Sequence, residues 1–246
     1  MKQSSDNWIY GVNPVLEALK AGGRIKSIHI SSGRHKTVPE IMQEAKKNGL
    51  TVKIEDEDFF NKTFPKGHQG VAARVLQKGY VELDELLKIP SQKNEPAFFL
   101  ILDCIEDPQN LGAILRTAET AGVHGIIIQS HRAAGLSPAA YKSSAGAVEY
   151  MPVAQVSNIK NVIDLLKKTG VWIYGADMQA KETLWDTDLR GPAAIVMGSE
   201  GSGLRKTVRE HCDCLLRIPL KGRVSSLNVS VASALIVFEV LRQRTS

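Results

Sequence analysis

Ala97-Phe98-Phe99-Leu100-Ile101-Leu102-Asp103-Cys104-Ile105-Glu106-Asp107-Pro108-Gln109-Asn110-Leu111-Gly112 decides the fold class. An unbroken apolar run (97–102), within a strand expected at 97–103, passes into a polar loop and then into a helical pattern at 112–121. Unbroken apolarity, as opposed to alternation, marks a strand covered on both faces, as in a parallel sheet. The same succession recurs downstream. Strands are expected at 125–129, 170–176, 193–198 and 214–218, and helices at 159–168, 204–211 and 227–242. Strands alternating with helices make this region α/β with a parallel sheet.

Upstream, a short amphipathic turn at 83–87 is followed by a polar stretch that Pro90 and Pro96 enclose, and this region reads as a linker. The expected division is a small domain at 1–76, a linker at 77–95 and a larger domain at 96–246. Within the small domain, Val12, Val15, Leu16 and Leu19 have helical spacing after the start signal Asn13-Pro14, and Gly22-Gly23 stops that helix. Strands follow at 25–30, 50–54 and 70–75, with a second helix at 38–48.

The 246 residues are 43% hydrophobic, enough for a sizeable core. Lys and Arg number 31 against 26 Asp and Glu, a mild basic balance that permits a polyanionic partner without requiring one. Residues 1–7 are polar and lack the apolar centre of a secretion signal. No run approaches the roughly 20 apolar residues of a membrane span. A cytoplasmic protein with no membrane association is expected. The three cysteines, Cys104, Cys212 and Cys214, do not make a disulfide framework. His211-Cys212-Asp213-Cys214 lacks a second cluster to complete a metal site, so buried thiols and no metal are expected.

Ligands of such sheets sit at the carboxyl ends of strands, and three strand-to-helix junctions are rich in special residues. In the first, Asn110 is a candidate helix cap, and Arg116 lies about 1.7 turns further along. Read alone, Arg116 is either a surface arginine or a cation beside a ligand phosphate. The second is Met197-Gly198-Ser199-Glu200-Gly201-Ser202-Gly203-Leu204. Its glycines allow close backbone approach. Leu204 stands where a phosphate loop needs lysine, which excludes the nucleotide-hydrolysing pattern. The third, residues 218–230, carries Lys221 and Arg223 and then Ser225, Ser226 and Asn228 at a helix start. Ser225 or Ser226 is the expected cap, which leaves Asn228 inside the first turn, where helix propensity alone does not explain it.

Together the three junctions resemble, in order, the motifs of the SpoU-type RNA ribose 2′-O-methyltransferases of the SPOUT superfamily. Asn110, Gly112 and Arg116 resemble the first motif, 197–204 the second and 218–230 the third. The resemblance implies a SPOUT fold with a deep trefoil knot, preceded by a small L30e-like α/β RNA-binding domain. It implies S-adenosylmethionine as cofactor, held by Met197, Gly198, Gly203, Ile218, Leu220, Ser226 and Leu227. It nominates Arg116 as catalytic, with Asn110, Glu200, Ser226 and Asn228 around it. It also implies a homodimer with the RNA site built from both protomers. The length, the small domain and Tyr10-Gly11-Val12-Asn13-Pro14-Val15-Leu16-Glu17-Ala18-Leu19 are similar to the branch that methylates a guanosine of 23S rRNA. A tRNA substrate and a non-catalytic RNA-binding role are the alternatives. Arg132, Lys142, Lys221 and Arg223, with His131, are candidates for an RNA path, and Lys26, Arg34, His35 and Lys36 for phosphate contacts in the small domain. The small, apolar run 144–148 is expected to pack a helix or face substrate.

Overall fold

The computed structural model of the protein describes residues 7–34 and 38–245. His35 and Lys36, two of the expected phosphate contacts, lie outside these residues. The chain begins with β1 (Asn7–Tyr10), α1 (Val12–Ala21), β2 (Ile25–Ser31), α2 (Pro39–Lys47), β3 (Val52–Glu55), α3 (Glu57–Thr63) and β4 (Val71–Val75). Next come α4 (Leu83–Lys93), β5 (Phe98–Leu102), α5 (Pro108–Thr120), β6 (Gly125–Gln129), α6 (Pro138–Ser143) and β7 (Val153–Val156). Last are α7 (Ile159–Lys168), β8 (Trp172–Ala176), β9 (Glu182–Thr183), β10 (Ala193–Met197), α8 (Lys206–Arg209), β11 (Cys214–Arg217) and α9 (Val229–Thr245). They divide into two compact units: residues up to 79 together with 136–150, and 80–135 together with the chain from 151 onward.

The first unit is a four-stranded sheet of order β1-β4-β2-β3, antiparallel except between β2 and β3. Ile28, Ile30, Val71 and Ala73 are fully buried in it, as is Val15 of α1. Helix α3 was not expected from the sequence. It is capped by Asp56, whose carboxylate accepts from Phe59 N at 2.7 Å. Segment 136–150, which the chain inserts between β6 and β7, belongs to this unit. Arg24 Nε and Nη2 donate to the Glu149 carboxylate at 3.0 and 2.6 Å. Lys78 Nζ donates to the carbonyls of Val148 and Glu149, and burial pulls its ammonium down to about 8. The small run 144–148 packs on α1, where a Cβ on Gly146 would lie 2.5 Å from the Glu17 side chain.

The second unit is a seven-stranded parallel sheet of order β7-β6-β5-β10-β8-β11-β9. Every residue of β5 and of β10 is buried, as unbroken apolar strands require. The α/β class with a parallel sheet is the one expected. The linker is not. Of residues 77–95, those from Leu83 to Lys93 form α4, and Leu86 is fully buried in the core with Phe99, Ile127 and Ala154. Gly125 makes the room, since a Cβ there would stand 2.6 Å from Leu86. Asp84 and Glu85 in the first turn favour the helix, and Asn94, in the left-handed conformation, ends it. Pro90 therefore sits inside a helix, where the sequence had suggested a break.

Two further helix starts differ from expectation. Helix α5 begins four residues early, at Pro108, because Asp107 is its cap and accepts from Gln109 N at 2.9 Å. Asn110 thus lies within the first turn. Helix α9 begins at Val229, and Asn228 is its cap: Oδ1 accepts from Ser230 N at 2.9 Å and Val231 N at 3.3 Å. Neither Ser225 nor Ser226 has that role. Cys104, Cys212 and Cys214 are half-buried free thiols, not fully buried ones. No described helix is long and apolar enough to cross a membrane.

The end of α9 is tied down by charged and amide side chains. Arg244 donates to the carbonyls of Pro96, Ala97, Gly191 and Leu189, and its guanidinium lies over the Phe98 ring at 5.0 Å. Gln243 accepts from Leu189 N and donates to Thr187 O. Charge-assisted bonds are each worth about 1.5–3 kcal/mol net. Arg244→Ala is expected to lower the midpoint of thermal unfolding by about 4–8 °C, measured by calorimetry. An unchanged midpoint would show that the α9 terminus is not held there.

Candidate active site

Loops from the carboxyl ends of three neighbouring strands enclose a cavity of about 640 Å³ in the second unit. They follow β8 (176–179), β10 (197–204) and β11 (216–220), and the start of α9 closes the fourth side. This position obeys the rule for open α/β sheets. All seven residues expected at the cofactor, Met197, Gly198, Gly203, Ile218, Leu220, Ser226 and Leu227, line it.

The β10 loop turns back on itself. Ser199 and Gly203 exchange backbone hydrogen bonds at 3.1 and 3.0 Å. The Ser199 and Ser202 hydroxyls are also bonded to each other. A Cβ on Gly198 would stand 2.2–2.4 Å from the backbone of Gly203 and Leu204, so only glycine fits. At Gly201 and Gly203, where nothing lies within 4 Å of a Cβ position, the wall presents bare backbone, which suits a ligand recognised through backbone polar atoms.

Beside the cavity, three expected residues meet. Asn110 Nδ2 donates to Glu200 Oε1 at 3.2 Å. Asn228 Nδ2 donates to Asn110 Oδ1 at 3.0 Å and also to Glu200 Oε1. Glu200 also accepts from Val229 N at 3.4 Å, which sets a carboxylate against the positive end of α9. One carboxylate thereby joins all three junctions. Asp107 and Asn228 together explain how. Asp107 caps α5, which frees the Asn110 amide for Glu200. Asn228 uses its oxygen to cap α9 and its nitrogen for the cluster.

Ser226 is exposed at the cavity without a hydrogen-bond partner among the described residues. Arg116 is not brought to the cluster. It is exposed on α5, and its guanidinium contacts none of Asn110, Glu200, Ser226 and Asn228 within the chain. Of the residues considered for an RNA path, His131, Arg132, Lys221 and Arg223 are exposed in the second unit. Lys142 belongs to the first unit, where it donates to Lys66 O at 2.9 Å. Lys26 and Arg34 are exposed in that unit as well.

Sequence reasoning missed Asp177 and Arg209, which line the cavity as an ion pair with Oδ2 and Nε 2.6 Å apart. Asp177 was within reach, because it directly follows a strand at its carboxyl end. Arg209 carried no such signal.

Residues 97–238 match the family model described as the SpoU rRNA Methylase family, and 8–81 match one described as RNA 2′-O ribose methyltransferase substrate binding. A Bacillus subtilis relative, "Putative TrmH family tRNA/rRNA methyltransferase YacO", is 41% identical across 99% of this chain and 98% of its own. The Escherichia coli "23S rRNA (guanosine-2′-O-)-methyltransferase RlmB" is 38% identical across 96% of this chain and 98% of its own. Among solved structures, the SpoU methyltransferase AviRb from Streptomyces viridochromogenes in complex with AdoMet superposes with a TM-score of 0.79 at 26% identity. That match covers 97% of this chain and 90% of the other.

Proposed function

Because the chain belongs to the SpoU rRNA methylase family, we propose that it methylates the ribose 2′-hydroxyl of a guanosine in 23S rRNA, with S-adenosylmethionine as donor. The observation that carries this reading is the hydrogen-bonded meeting of Asn110, Glu200 and Asn228 beside a backbone-lined cavity. The rRNA guanosine rests on the named activity of RlmB relatives that are similar over nearly the whole chain.

The cavity fits the cofactor. Its volume falls within the roughly 300–1,000 Å³ of small-molecule sites, and Gly201 and Gly203, with nothing within 4 Å of a Cβ position, leave open backbone on its wall. When bound, S-adenosylmethionine supplies a methyl group already activated on a sulfonium, so the reaction needs no metal. The chain's own contribution is alignment. Glu200, fixed by two amides and the end of α9, holds the three loops in one arrangement. Ser226 lines the cavity, where its hydroxyl can donate to or accept from the reacting groups. A guanidinium stays protonated in proteins, so Arg116 serves as a fork for the phosphate next to the target ribose. The small amino-terminal domain, of the L30e type, holds the RNA.

The protein works as a homodimer in the cytoplasm. Val231, Leu235 and Phe238 are 48%, 39% and 47% exposed and recur at one-turn spacing on α9, and an apolar stripe of this kind calls for a covering partner. Arg116 contacts no other site residue within its own chain, so in the dimer each site draws its arginine from the second protomer. The path from β11 through 218–228 into α9, which packs on α5, is the segment expected to thread the trefoil knot.

Incubation with labelled S-adenosylmethionine and, separately, 23S rRNA and tRNA transcripts tests the reading. Label at a guanosine ribose of 23S rRNA is expected. Label confined to tRNA overturns the substrate, and label in neither overturns the activity.

A further inference from the structure

Asp103, directly after β5, is 0% exposed. A carboxylate so placed is costly without full compensation, and apart from the neighbouring Cys104 thiol, 3.7 Å from Oδ1, its side-chain compensation comes from one residue. Arg205 donates to it twice, from its backbone N at 3.0 Å and from Nε at 2.7 Å, and Nη2 completes the ion pair 2.6 Å from Oδ1. Nη2 also donates to Gln129 Oε1 at 2.6 Å, at the end of β6. Asp103 N donates to Met197 O at 2.8 Å, where β10 ends.

These bonds are placed around the β10 loop. The loop leaves the sheet at Met197, whose carbonyl Asp103 holds. It returns at Arg205, whose backbone and side chain Asp103 also hold. Between these points lie the Gly198–Gly203 cradle and Glu200, which Asn110 grips from the same β5–α5 junction. Within the cradle Ser199, Ser202 and Gly203 bond to one another, and Gly201 and Gly203 take left-handed conformations. These internal bonds shape the turn, and the Asp103 bonds fix where its two arms leave and rejoin the sheet.

We propose that the Asp103–Arg205 pair is a positioning device, which touches no ligand but sets the β10 loop in the shape that receives the cofactor. This rests on the reading of the cavity as the S-adenosylmethionine site. The fork matters as well as the charge, since one planar guanidinium reaches Asp103 and Gln129 together.

Calorimetric titration of the full-length protein with S-adenosylmethionine, alongside its unfolding midpoint without ligand, provides the test. Arg205→Lys keeps the charge and loses the fork, and is expected to weaken binding about three- to fivefold. The double variant Asp103→Asn/Arg205→Met leaves no unpaired buried charge, and is expected to weaken it about tenfold or more. In both, the KM for S-adenosylmethionine should rise while the KM for RNA stays within twofold, with lysine lying between the double variant and the parent. A purely structural pair would lower the midpoint and leave the two KM values in their original ratio. Cofactor affinity within twofold of the parent in the double variant overturns the proposal. If the double variant does not fold, the same result in Arg205→Lys does so. A parent protein that fails to bind S-adenosylmethionine overturns both this inference and the function it rests on.

Discussion

Arg116→Lys lowers methyl-transfer turnover about a hundredfold or more while S-adenosylmethionine affinity stays within about twofold of the parent. The expectation comes from where Arg116 stands. It is exposed, it does not line the cavity, and its guanidinium has no partner among the described residues. A residue so placed contributes nothing to cofactor binding. Nor does it contribute to stability through contacts, so a large effect on turnover cannot be attributed to misfolding. Lysine preserves the charge and the helix, both residues being good helix formers. What it loses is the planar pair of donors that fixes a phosphate in orientation as well as position. Single-turnover rates with 23S rRNA, measured with cofactor titrations on the same preparation, separate the two steps. Turnover within about threefold of the parent would remove Arg116 from the centre of the mechanism. A parallel loss of cofactor affinity would place it at the cavity, contrary to the geometry.

Gly198→Ala has the opposite signature: S-adenosylmethionine binding falls about a hundredfold, and turnover falls with it at any attainable cofactor concentration. The added methyl carbon would sit 2.2 Å from Gly203 C and 2.4 Å from both Gly203 O and Leu204 N. These are backbone atoms, so relief requires moving the returning arm of the loop, not rotating a side chain. That arm carries the cradle and leads into Arg205. Gly222→Ala is the matching control. Nothing lies within 4 Å of a Cβ there and its φ is not positive, so affinity should not change. Titration calorimetry on both variants decides the matter. An alanine at 198 that binds normally would mean that the loop can be remodelled without loss, and that the cavity shape is not what selects the ligand.

Much of the second unit was legible because its signals are local. The runs at 125–129 and 159–168 become β6 and α7 with the same bounds, since apolar periodicity and helix ends depend on neighbouring residues. The loops with special composition were legible for the same reason, and all seven residues named for the cofactor line one cavity. Helix α4 was not read as a helix because Pro90 and Pro96 around a polar stretch suggest a break. What secures it is Leu86 entering the space left by Gly125, nearly 40 residues away in the chain. The inserted segment 136–150, inside the 97–238 match to the methylase family model, packs with the first unit for a similar reason. Its anchor is the Arg24–Glu149 pair, and nothing near either residue announces the other.

The role of Asn228 shows the division most clearly. Read in one dimension, it is a poor helix former near a helix start. Its oxygen proves to cap the start of that helix, and its nitrogen to join two loops 28 and 118 residues distant.

The order of apolar and polar residues alone determined that this chain is α/β, that its second unit is a parallel sheet, and which three junctions carry unusual chemistry. Only the tertiary structure decided that Glu200 is the acceptor shared by all three, that Asp103 and Arg205 pin the loop between them, and that Arg116 stands apart. Propensity and periodicity act over a few residues, whereas hydrogen bonds and steric room depend on which distant segments the sheet order makes neighbours.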